Sequence, residues 1–348
     1  TGWNHYSIVV QMPHMAPGGR LSEIELLKWL GAFQWKSISW ALGQQSSQIT
    51  NAQGERLYAS FINIELLFAA GHSQNTLGED VTLHVANSVR FYAKKFVEGL
   101  FVIDTRPISP EQLVSIESRQ NLSTSKCSWA YMTNAFIARE GSNTRLKVFK
   151  PNGADDLKLP DLREPPDGIA EQARVQANGE LVALADDTNA ISTKNRRIQP
   201  TRIDSIVYDI VPENDLNGAG LVYFARYPAM MNYGERVFLS ERVEPPISTH
   251  LISFLSTQHR KVFFFANATP EDQVEVRVTA TLLAPGDFEK PVKDLPYRVP
   301  LQMLLHIDLH RASDKVLMAS SIVRKSLNVP GHRKHILLEA DRLLCLFS

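Results

Sequence analysis

The chain has 348 residues, 44% hydrophobic and 21% charged, enough for a sizeable core and comfortable for two compact units. Its 37 basic and 37 acidic side chains cancel, so bulk charge favours neither nucleic acid nor an anionic membrane as a partner. Cys127 and Cys345 lie outside any ligand spacing, which excludes a disulfide framework or cysteine-rich metal site; with no apolar run of about 18 residues and no signal-peptide layout, a cytoplasmic protein is expected.

An extended start, Ser7 to Met12, runs into Pro13-His14-Met15-Ala16-Pro17-Gly18-Gly19-Arg20. Ser22-Glu23-Ile24-Glu25 is a capping box that opens a helix, and Ile24, Leu27, Gly31, Trp35, Ile38 and Leu42 follow at helical spacing. Strands are predicted around Arg56 to Phe68, Asp80 to Phe91, Phe96 to Ile103 and Ser128 to Ala138, where β-branched and aromatic residues concentrate between polar turns. Residues 141–200 are polar and broken by Pro151, Pro160, Pro165, Pro166 and Pro200, which predicts a linker draped over the surface. The order then repeats. Ile203 to Val211 reads as a strand, Gly218 and Gly220 as a corner, and Tyr227 to Leu239 as a helix. Further strands are expected around Lys261 to Asn267, Val274 to Leu283, Val299 to His310 and Lys315 to Val323. Such a duplication, 1–140 and 201–348 about the linker, predicts an α+β fold of two antiparallel sheets, each wrapped around a central helix.

The corner carries the chemistry. In Asp215-Leu216-Asn217-Gly218-Ala219-Gly220, running on to Tyr223 and Pro228, the glycines let the backbone approach a ligand, and Pro228 suits a first helical turn that needs no donor. Amides at such a helix start suit a carbonyl oxygen that gains negative charge. The plain alternative is an Asx-turn at Asp215 leading into a buried helix. Asp215, Gly218 and Tyr223 together resemble the Asp, Gly and Tyr corner of the hot-dog thioester enzymes. His306, Asp308 and His310 share one strand face, opposite Leu305, Ile307 and Leu309, and are expected to face solvent without a metal.

A second likeness is narrower. Met12-Pro13-His14, Gly18-Gly19, Leu21-Ser22-Glu23, Gly31, Trp35 and Gly54-Glu55-Arg56-Leu57-Tyr58-Ala59-Ser60-Phe61 resemble the amino-terminal half of the double-hot-dog acyltransferase/decarboxylases of polyketide biosynthesis. The resemblance implies that a malonyl- or methylmalonyl-type coenzyme A thioester is decarboxylated and its acyl group passed to an acyl carrier protein through Tyr58. A phenol needs help from amide dipoles or a base to act so, and His14 and Asp215 are expected near the seam, with Asn217 as an added donor. Gly18 and Gly19, or Gly218, Ala219 and Gly220 with Tyr223, would bind the substrate. The thioester of coenzyme A or phosphopantetheine enters as substrate, with no permanently bound cofactor and no nucleic-acid or membrane partner, on a monomeric pseudo-dimer or a homodimer. Gln34-Trp35 stands where the family often has His-Trp, which leaves the acyl group open. The alternatives are a hot-dog thioesterase using Asp215 or Glu235 to activate water, a dehydratase, or a noncatalytic acyl-binding or docking module.

Overall fold

Ser22 caps the first helix as its sequence predicts, accepting from the Glu25 amide at 3.4 Å, and Gly43 in the left-handed conformation (φ 64°) closes it. The computed structural model describes residues 2–69, 77–140, 146–156, 161–178, 182–184, 195–202, 204–283, 298–328, 335–336 and 338–340. The first half contains β1 (Trp3–Val9), β2 (Met15–Ala16), β3 (Arg20–Leu21), α1 (Glu23–Leu42), β4 (Tyr58–Leu67), β5 (Thr82–Tyr92), β6 (Phe96–Asp104), α2 (Pro110–Val114), α3 (Arg119–Ser123) and β7 (Ser128–Arg139). Between the halves lie β8 (Leu146–Val148), β9 (Asp161–Leu162), α4 (Asp167–Asn178) and β10 (Arg196–Ile198). The second half has β11 (Ile206–Asp209), α5 (Pro212–Asp215), α6 (Arg226–Glu241), α7 (Thr249–Ile252), β12 (Leu255–Phe264), β13 (Gln273–Leu283), β14 (Arg298–Arg311) and β15 (Leu317–Asn328). The first strand ends earlier than its sequence suggests because Met12–His14 turns as one 3-10 helix.

The two expected sheets are hydrogen-bonded edge to edge. Among the described residues they form one sheet of 13 strands in the order β1-β5-β6-β7-β4-β12-β15-β14-β13-β10, with β8, β9 and β11 paired at its margins. The join is antiparallel between β4 and β12, where Lys261 faces Glu65 and Phe263 faces Asn63. Both long helices pack on one face of this sheet, so Leu26, Leu27 and Leu30 of α1 and Met230, Phe238 and Leu239 of α6 fall within one apolar cluster. Each fully buried leucine there contributes roughly 2 kcal/mol. Gly31 lets the corner of the second half approach α1, since a Cβ would lie 2.4 Å from Phe224 Cζ.

Charges cross the same interface. Glu23 pairs with Arg260 across it at 2.5 Å, and within the second half Glu235 pairs with Lys325 at 2.5 Å, all four side chains being buried. Removing one member of such a pair costs about 3–5 kcal/mol because the other stays buried and uncompensated. The linker does more than run over the surface. Its helix α4 covers the sheet face opposite α1 and α6, where Gln172 Nε2 donates to the Phe264 carbonyl and Glu171 pairs with Lys261. Its helical stretch gives only a weak periodic signal in sequence, with one isoleucine, one valine and three alanines among polar residues.

Candidate active site

A cavity of about 440 Å³ opens between α1, the start of β4, β7 and the second-half corner. Helix α1 contributes Gln34 and Trp35, β4 contributes Tyr58 to Phe61, and the corner contributes Asn217, Gly218, Ala219 and Tyr223. Phe61 stacks on Phe224 with ring centroids 4.0 Å apart, making an apolar wall. Among the described residues, the lining includes no aspartate, glutamate, histidine or cysteine. Its ionisable groups are Arg56 and the tyrosines.

Tyr58 lies where β4 begins, half-buried, with the Arg56 guanidinium 5.2 Å and the Arg139 guanidinium 5.9 Å from its ring centroid. Two cations over one ring give the phenol a positive surround. Burial, reinforced by the Glu25 carboxylate, pushes the Tyr223 phenol up to about 12, so it remains a neutral hydrogen-bond donor. Burial likewise raises Tyr227, whose hydroxyl is spent on the Ala266 carbonyl at 2.9 Å.

The corner closes on itself. Asn217 Oδ1 accepts from the amides of Ala219 at 2.9 Å and Leu221 at 3.2 Å, and the Gly220 amide donates to the Asn217 carbonyl at 2.8 Å. The Asx-turn and the backbone turn together therefore use up the Ala219 and Gly220 amides, two of those expected to receive a substrate oxygen. The Gly218 amide and the Asn217 Nδ2 group take no part in those bonds.

Asp215 is not in the cavity. It is fully buried and accepts from the Tyr208 hydroxyl at 3.0 Å, the Val211 amide at 2.9 Å and Arg226 Nε at 2.8 Å, tying β11 to the start of α6. Glu235 is likewise held inside by Lys325. His14 is also elsewhere: its Nδ1 accepts from the Gln11 amide at 3.1 Å and its ring meets the edge of Trp29. Gly18 approaches the other half instead, and Gly19 is exposed with open space where a Cβ would stand. Gly18 has φ 94°, and a Cβ there would fall 2.9 Å from the Ser253 carbonyl oxygen, which already accepts from Arg20. Where the second corner faces a cavity, the first faces Phe254 and the chain entering β12. The His306, Asp308 and His310 face lies opposite the buried Leu305, Ile307 and Leu309, and Asp308 accepts from Ser320 at 2.6 Å.

Sequence reasoning missed Asn134. Fully packed in β7, it lines the cavity, its Oδ1 accepts from Gln34 Nε2 at 3.1 Å, and its Nδ2 is buried with no partner among the described residues. Gln34 in turn accepts from Asn87 at 3.4 Å, and Gly99 makes room for it, since a Cβ there would lie 2.0 Å from Gln34 Oε1. A chain of side-chain amides thus holds one unsatisfied donor at the cavity wall, a costly arrangement unless a ligand completes it. The available signal was a Thr-Asn pair within the apolar run Trp129 to Ile137.

A continuous antiparallel sheet whose two halves each pack a long helix on the same face, with a cavity at their seam, is the double hot-dog fold. Over nearly its whole length the chain is similar to an acyl-ACP thioesterase from Bacteroides thetaiotaomicron (TM-score 0.50, 12% identity, 93% of this chain and 98% of that one). It is also similar to a protein described as an oleoyl thioesterase from Lactobacillus plantarum (TM-score 0.56, 10% identity, 94% and 97%). At these identities the likeness establishes the fold alone. No protein-family model and no curated protein matches the chain.

Proposed function

We propose that the protein is an acyl-thioester enzyme that decarboxylates a malonyl- or methylmalonyl-type coenzyme A thioester and passes the acyl group to an acyl carrier protein. The observation that carries this reading is the lining of the cavity. Its walls offer a phenol flanked by guanidiniums, together with amide donors, and among the described residues no carboxylate lines it to repel an anionic acyl group. For transfer, the Tyr58 oxygen attacks the thioester carbon, the carbon–sulfur bond breaks, and coenzyme A leaves as its thiol with the phenol's proton; the carrier thiol then attacks the acyl-tyrosine carbon, the carbon–oxygen bond breaks, and the carrier thiol's own proton restores the phenol. For decarboxylation, the electron pair of the breaking carbon–carbon bond moves onto the thioester carbonyl, and the resulting enolate is protonated at carbon. Asn134 Nδ2, Asn217 Nδ2 and the Gly218 amide are the donors that would hold the enolate oxygen.

A second reading, hydrolysis, is supported by the thioesterase names of the two similar structures. The sequestering of Asp215 and Glu235 removes the bases expected for it. The test mixes the protein with malonyl- and methylmalonyl-coenzyme A, with and without carrier protein, and follows intact masses and products. Acyl transfer predicts a covalent increment on the wild type without carrier and none on Tyr58→Phe, which keeps the ring and loses only the hydroxyl. Free acid as the sole product, with Tyr58→Phe near wild-type rate, would favour hydrolysis.

A further inference from the structure

The sheet face under α3 and α4 holds a second cavity of about 280 Å³, separate from the first. Three adjacent strands set its floor. Trp129 of β7 and His259 of β12 both stand opposite Leu67 of β4, so the three form one row across the join between the halves. Glu65, two positions along β4 and on the same face, accepts from or donates to His259 Nε2 at 2.8 Å. Burial would raise the Glu65 carboxyl, but the His259 hydrogen bond and the Arg119 and Lys261 charges hold it down to about 2. An ionised carboxylate can only accept, so His259 donates from Nε2 to Glu65, and in the neutral ring that leaves Nδ1 as an acceptor pointing elsewhere.

Two nitrogens at this cavity are unspent. Trp129 is 1% exposed and His259 3% exposed, both line the space, and Trp129 Nε1 and His259 Nδ1 are buried with no partner among the described residues. Their rings meet edge to face with centroids 5.9 Å apart, on neighbouring sides of the same space. The charged walls and Ser123 are committed, while Gln120, also in the lining, is exposed. Arg119 is bonded to Glu65 at 2.6 Å and Glu171 at 3.1 Å and lies 3.7 Å from Asp167, and Ser123 donates to the Gln120 carbonyl at 2.8 Å. Lys261 is paired with Glu171. The carboxylates of Glu65, Asp167 and Glu171 outnumber Arg119 and Lys261, so no surplus positive charge awaits an anion.

We infer that this outer cavity is a binding site for a small neutral molecule bearing an amide or hydroxyl group, which accepts from Trp129 Nε1 and donates to His259 Nδ1. One donor beside one acceptor matches a group that has both, and satisfying each removes the cost of a buried unpaired polar atom. The site spans β7, β4 and β12 and is roofed by α3 and by α4 from the linker, so an occupant would touch both halves and the segment that joins them.

The test uses the full chain and propionamide as probe, with acetate and methylammonium for comparison, read through the indole N–H resonances of the 5 tryptophans. Propionamide should shift the Trp129 resonance saturably while Trp35, which lines the other cavity, reports any binding there. Trp129→Phe keeps the ring bulk without the donor and is followed by saturation transfer to the probe itself, and His259→Leu removes the Nδ1 acceptor while Arg119 and Lys261 stay beside Glu65; each should weaken the probe at least tenfold. If a variant fails to fold, the wild-type Trp129 titration still decides. A Trp129 resonance that stays put at saturating probe, a preference for acetate, or unweakened binding in a folded variant would each overturn the assignment.

Discussion

At the scale of single residues, position relative to one cavity separates chemistry from architecture. Tyr58, Asn217, Gly218, Ala219 and Tyr223 line it, whereas Asp215 and His14 are used up in local contacts. Asp215→Asn should therefore destabilise the protein by about 3 kcal/mol through an unpaired Arg226, while folded molecules turn over substrate at near wild-type rate. Loss of turnover with an unchanged melting temperature would instead make Asp215 a reacting group. Asn134 is expected to behave in the opposite way. If its free Nδ2 holds the developing oxyanion, Asn134→Ala should lower kcat about 10²–10³-fold with little change in KM, beyond the cost of leaving Gln34 unpaired. A melting shift with unaltered kcat would show that Asn134 serves packing alone.

At the scale of elements, the pairing of β4 with β12 concentrates opposite charges that cannot be separated cheaply. Glu65 lies beside Arg119 at 2.6 Å, His259 at 2.8 Å and Lys261 at 3.9 Å, in a place with almost no solvent. Its carboxyl is held down to about 2 against an ordinary 4.5, so the folded state binds its proton later than the unfolded chain does. The stabilisation is therefore complete above about pH 4.5 and lost as pH falls towards 2. Glu65→Gln should lower the melting temperature at pH 7 and flatten its dependence on pH between those limits, measured by thermal scans at stepped pH. An unchanged slope in that window would mean that other carboxylates govern acid unfolding.

At the scale of the whole molecule, two repeated units share one sheet and one apolar cluster. Residues of α1 and α6 lie in the same core, and Gly31 meets Phe224 of the other half. A fragment ending near Ala170 would expose the β4 edge and the α1 side that the second half covers. It should sediment as aggregates or show no cooperative melting, and recover when residues 201–348 are supplied. A monomeric first-half fragment with a sharp transition would show that the halves are energetically independent. Among the described residues, no helix is long and apolar enough to cross a membrane.

The local grammar of this chain was legible in sequence because it is set by neighbours a few positions apart. The Ser22 cap and the alternating strands follow from short-range hydrogen bonding and periodicity, and the repeated order of elements disclosed the duplicated fold, although the Asx-turn expected at Asp215 forms at Asn217. Tyr58 and the Asn217 corner could be named from their motifs. Only the tertiary structure could decide that they share a cavity while Asp215, His14 and Gly18 do not. Residues 58 and 217 are brought together by the pairing of β4 with β12 and by the packing of α1 against α6, contacts between segments far apart in the chain. The same holds for the unsatisfied amide of Asn134 and the paired nitrogens of Trp129 and His259. Whether a buried polar atom has a partner depends on every element packed around it, and no pattern along one strand records that sum.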